Sequence, residues 1–124
     1  MDGFKVSIRE CSRDLTAREK IMMKDTSNAI KLDEAAEEQP VMITPDAYAI
    51  LDIHNEKSDN KDYQNYLIID KTGTKYVTGS PSFWQSFIDI FSDMSGEDEE
   101  WSIEVYKMDS KNFKGKKFLT CSII

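Results

Sequence analysis

The sequence predicts a mainly β protein in which a single helix falls between a third and a fourth strand. Three observations carry this. Apolar residues recur with a period of two through residues 48–54, 65–69, 74–78, 101–108 and 117–124, as in strands with one buried face. A turn sequence, Asp70-Lys71-Thr72-Gly73, joins the second and third of these runs into a hairpin. Ser80-Pro81 then interrupts the alternation and opens a run whose apolar residues return at helical spacing.

Residues 1–39 are more polar than the rest of the chain and are expected to form a partly helical N-terminal extension. Thr16 with Glu19 three residues on makes a capping box, and Ile21, Met22 and Met23 come after it. Residues 29–38 favour a second helix with four acids, Asp33, Glu34, Glu37 and Glu38, which stops before Pro40. The boundary is placed at Gln39-Pro40, with residues 40–124 as the β domain.

In the first strand Ala49, Leu51 and Ile53 share one face, while Tyr48, Ile50, Asp52 and His54 share the other. Residues 55–62 are polar and read as a loop. With Gly73 closing the turn in the left-handed region, Leu67 and Val77 fall on the core face, and Tyr66, Ile68 and Tyr76 on the opposite one. Ser80 caps the helix and Pro81 takes its first position. Phe83, Trp84, Phe87, Ile88, Phe91 and Met94 form its apolar stripe, and Ser95-Gly96 ends it. Ile103 and Val105 alternate with Glu104 and Tyr106 in the fourth strand. The fifth, residues 117–124, has Leu119, Cys121 and Ile123 facing one way and reads as buried.

At 124 residues the chain is long enough to bury a core without disulfides or a structural metal. Cys11 and Cys121 are far apart and make no CxxC pair, so two reduced thiols are expected. No basic start with a long apolar run and no stretch of about 20 apolar residues is present; a cytoplasmic protein without a membrane partner is expected. Catalysis is not expected either. His54 is the one histidine, no motif marks a serine or cysteine nucleophile, and zinc-type, EF-hand, GxGxxG and Walker patterns are missing. No cofactor and no metal is called for.

Charge is distributed unevenly. Residues 105–124 hold five lysines and one acid, a local +4, which leaves −11 on the remainder of a chain whose net charge is −7. Residues 89–104 hold seven acids and no base.

Five strands with one helix between the third and fourth is the element order of the OB-fold, a partly open Greek-key barrel. That barrel binds oligonucleotides with the loop between its last strands and with the face of its second and third. Here the loop carries Lys107, Lys111, Lys114, Lys116 and Lys117 with Phe113. Lysines attract phosphates and aromatic rings stack on bases. Tyr48, Tyr66 and Tyr76 would form the stacking platform, with Lys71 and Lys75 beside it.

With this element order, its net negative charge and its basic last hairpin, the chain resembles the small acidic single-stranded DNA-binding proteins of bacteriophages and mobile elements. The resemblance implies a sequence-tolerant protein that coats single strands in phage or plasmid replication or recombination. A replication or recombination protein would then be a partner. RNA is an alternative ligand, and an unpaired strand edge allows a homodimer. Many such proteins end in an acidic tail that recruits partners, whereas residues 118–124 here read as a strand. The rival reading is an acidic protein-binding module or DNA-mimic inhibitor, working through residues 89–104 and 33–38.

Overall fold

Alternation governs more of the chain than its middle and end. The computed structural model describes residues 3–57, 59, 61–109 and 116–124. Among them the elements run in the order β1 (Phe4–Cys11), α1 (Ala17–Lys24), β2 (Ile30–Lys31), α2 (Leu32–Ala35), β3 (Val41–Ile43), β4 (Pro45–Asn55), β5 (Asp62–Asp70), β6 (Lys75–Thr78), α3 (Pro81–Met94), β7 (Ile103–Asp109) and β8 (Lys117–Ile123). The protein is mainly β, as expected. Its strands form a five-stranded sheet, β1-β4-β5-β6-β2, and a three-stranded sheet, β3-β7-β8, and neither closes on itself among the described residues. No helix among the described residues is long and apolar enough to cross a membrane.

Two compact units share the chain. One comprises Met1–Ile30 and Asp46–Gly79, the other Lys31–Pro45 and Ser80–Ile124. They do not follow the boundary expected at Gln39-Pro40. The stretch read as the start of a helical extension is instead β1, an antiparallel partner of β4 with Val6 opposite Ile53 and Ile8 opposite Leu51. Its signal was a period of two, since Val6 and Ile8 alternate with Lys5, Ser7 and Arg9.

In the first unit Ala47, Ala49, Leu51 and Ile53 of β4 are buried with Leu67, Val77 and Met23, and Val6, Ile8 and Leu15 pack against them. Thr16 and Glu19 close the capping box of α1, the threonine side chain accepting from the Glu19 backbone at 3.2 Å and the Glu19 carboxylate from the Thr16 backbone at 3.0 Å. The hairpin has the expected register, with Leu67 opposite Val77 and Ile68 opposite Tyr76. Gly73 sits at φ +90°, a left-handed conformation that its missing Cβ allows. The Asp70 carboxylate accepts from the backbone amides of Thr72 and Thr74, fixing the turn.

In the second unit α3 starts and stops where its sequence dictates. Ser80 accepts from the Phe83 amide, Pro81 is at the first turn, and Ser95 is the C-cap. Phe83, Trp84 and Phe87 are buried, and Trp101 meets the ring of Phe91 edge-on at 5.9 Å between centroids. Ile43, Ile103, Val105, Leu119 and Cys121 form the buried face of the β3-β7-β8 sheet. The helix-favouring run at residues 29–38 yields only the one-turn α2, Leu32–Ala35, where Leu32 is wholly buried.

Candidate nucleic-acid interface

Strand parity decides which side chains reach solvent. In the β7–β8 ladder Val105 stands opposite Cys121 on the buried face. Glu104 opposite Ser122, Tyr106 opposite Thr120 and Met108 opposite Phe118 therefore belong to the other face. Across β3, Met42 stands opposite Glu104 and joins it. Three large apolar residues on this face are solvated: Met42 is 56% exposed, Met108 46% and Phe118 38%. Tyr106 lies between them, its hydroxyl sharing a 2.6 Å hydrogen bond with that of Ser122.

The face has defined borders. Ser82 of α3 donates its hydroxyl to the Leu119 carbonyl at 2.9 Å, and the Ser86 and Thr120 hydroxyls share a hydrogen bond at 3.1 Å. Helix α3 thus covers the margin of β8 around Thr120, which is buried. At the opposite end stands the Met108–Phe118 pair, and Lys116 and Lys117, both exposed, immediately precede Phe118. The expectation that residues 118–124 are buried holds only for Leu119, Thr120 and Cys121. Phe118, Ile123 and Ile124 are exposed.

The eleven residues expected to hold nucleic acid fare differently. Lys111, Phe113 and Lys114 lie outside the described residues. Lys107 is largely withdrawn from solvent, with a side chain 19% exposed, and donates to the Glu37 carboxylate. That contact holds Glu37 below the usual carboxylate range. Lys116 and Lys117 remain at the surface.

The tyrosine platform is not formed. Parity sends Ile68, Tyr76 and Thr78 to the predicted face, but these residues are 1%, 9% and 4% exposed, so no stacking surface exists there. Burial also pushes the Tyr76 hydroxyl up in pKa, and that of Tyr48, which is half-buried. Tyr66 is half-buried as well. Lys75 belongs to the opposite face and is 8% exposed, its ammonium donating to the carbonyls of Met22 at 3.0 Å and Asp25 at 2.6 Å. Lys71 is exposed, 3.5 Å from the Asp46 carboxylate.

The solvated part of the five-stranded sheet is polar instead. Arg9 donates to both oxygens of Asp52 at 3.0 Å, and Gln64 reaches the same carboxylate at 3.2 Å. His54 is held through Nδ1 by Asp62 at 2.7 Å and through Nε2 by Glu56 at 2.6 Å. Both contacts favour the imidazolium and raise its pKa, the Asp62 hydrogen bond most. With both ring nitrogens engaged by carboxylates, this histidine has no nitrogen aimed at a substrate.

Sequence reasoning missed Met42, Tyr106, Met108 and Phe118. The signal was parity, because a strand that buries Leu119 and Cys121 must turn Phe118 the other way. No family model matches the chain, and no curated protein and no solved structure matches it.

Proposed function

We propose that the protein binds single-stranded DNA on the solvated face of the β3-β7-β8 sheet, in the replication or recombination of a phage or plasmid. One observation carries the reading: the exposed Met108–Phe118 cross-strand pair is preceded, two residues before Phe118, by the exposed Lys116, whereas Lys117 pairs with Asp109 on the other face by parity. An aromatic ring beside a lysine supplies the two things an unstacked strand offers partners for, a base face and a phosphate. Tyr106 and Met42 extend the apolar surface over which a second base can lie. Exposed acids at the end of α3 and after it, Asp93 and Glu97 to Glu100, repel the dense charge of a duplex.

The reading keeps the helix-then-hairpin order of an OB-like fold and moves the stacking surface from the β5–β6 hairpin to β7–β8. Its test is a titration of fluorescent oligo-dT and of a duplex of equal length, at low and at moderate salt. Preferential binding of the single strand, weakened by salt and by Phe118→Ala, is expected. No binding of oligo-dT at low salt, preference for the duplex, or an indifferent Phe118→Ala variant would overturn it.

A further inference from the structure

Strand β1 ends the five-stranded sheet: β4 takes one edge of it, and no strand takes the other among the described residues. A groove of about 370 Å³ runs there, lined by the consecutive residues 7–11 together with Lys20 and Lys24 of α1. Consecutive strand residues face opposite sides of a sheet, so a groove touching all five follows the backbone edge. Backbone donors and acceptors of an outer edge are a template for one more strand.

The charges of the groove, in which Lys20 and Lys24 outnumber the single acid Glu10, select what that strand would be. Arg9 is the extra residue of a bulge, since Ile8 stands opposite Leu51 and Glu10 opposite Ile50. Its guanidinium is committed to Asp52. Lys20 and Lys24 are exposed and have no ion-pair partner among the described residues. Four residues apart, they recur about 6 Å along the helix. Alternate side chains of an extended peptide recur about 6.8 Å along its own axis, so acids at every second position can meet both lysines. Ile8 and Cys11, each half-buried, give the intervening apolar side chains a wall. A second copy of β1 fits less well, because its Lys5 and Arg9 outnumber its Glu10 and would face like charge.

We propose that the outer edge of β1 binds an extended acidic peptide segment by strand addition, with Lys20 and Lys24 fixing its register. The probe is a fluorescein-labelled octapeptide of alternating Glu and Val, followed by anisotropy at low salt, with a Lys/Val octapeptide as its counterpart. The Glu/Val peptide should bind, the Lys/Val peptide should not, and Lys20→Glu/Lys24→Glu should weaken binding at least tenfold. Hydrogen exchange should slow at amides within residues 7–11 when the peptide is present, and oligo-dT should not displace it. Absence of binding, equal binding of both peptides, or an unaffected double variant would overturn the proposal. Displacement by oligo-dT would overturn it in favour of a nucleic-acid surface. Concentration-dependent dimerisation that protects the same amides without peptide would overturn it in favour of a second copy.

Discussion

Lys75 donates its buried ammonium to the carbonyl of Met22 at 3.0 Å, and to that of Asp25 at 2.6 Å. Both carbonyls belong to the end of α1, where helical C=O groups have no partner of their own and a positive charge is favoured. A lysine on β6 therefore completes a helix of the same unit. Replacing it with methionine, which keeps the stem and removes the charge, leaves two carbonyls without this donor. Lys75→Met is expected to lower stability by about 1–3 kcal/mol in urea unfolding, with oligo-dT affinity unchanged where the protein is still folded.

His54 gives a residue-specific pH readout, because the chain has no second histidine. The flanking carboxylates of Asp62 and Glu56 place its folded pKa above the ordinary value of about 6.5. A raised folded value means that the contribution of the clamp to stability is fully present below the unfolded pKa. It disappears as pH rises through the folded one. An NMR titration of the imidazole should show a midpoint above about 6.5, and Asp62→Asn should bring it down. An unchanged midpoint in that variant would remove the clamp.

The two thiols should react at very different rates. Burial pushes the Cys121 thiol up to about 12, and thiolate is the reacting species. Cys11 is half-buried on β1. A thiol reagent near neutral pH is expected to modify Cys11 in the folded protein and Cys121 only after denaturation. Cys11→Ser should therefore abolish the reaction under native conditions.

Phe118 and Lys116 should contribute separable effects to strand binding. Loss of one stacked base costs about 1–3 kcal/mol, so Phe118→Ala should weaken oligo-dT binding by roughly 5- to 150-fold at every salt concentration. Lys116→Ala should reduce the salt slope by about 0.7, the single-strand value for one phosphate contact, and Lys117→Ala, on the other face, should leave it unchanged. Equal slopes for Lys116→Ala and the parent would assign the phosphate contact elsewhere.

Local signals were legible wherever short-range chemistry decides. The capping box at Thr16, the Gly73 turn with its register, and the start of α3 at Ser80-Pro81 are all set by a few adjacent residues. What was lost depends on pairing between distant segments. Polar residues in β1 concealed its alternation, and without β1 the Arg9–Asp52 contact is invisible. Parity puts Tyr76 on the right face but says nothing of whether that face is solvated, and here it is buried. Lys75 reads as a surface cation until its carbonyl partners, some 50 residues earlier in the chain, are in place.

The division of the chain also limits how it can be cut. Each unit is assembled from two stretches separated by residues of the other, with the path crossing between them after Ile30, Pro45 and Gly79. A contiguous fragment that contains all of one unit must carry a stretch of the other with it, residues 31–45 for the first unit and 46–79 for the second. Terminal truncation therefore cannot isolate either sheet. Ending the chain at Gly79 and replacing residues 31–45 with a short linker is the route to the first unit alone, since it preserves both of that unit's stretches in their native order.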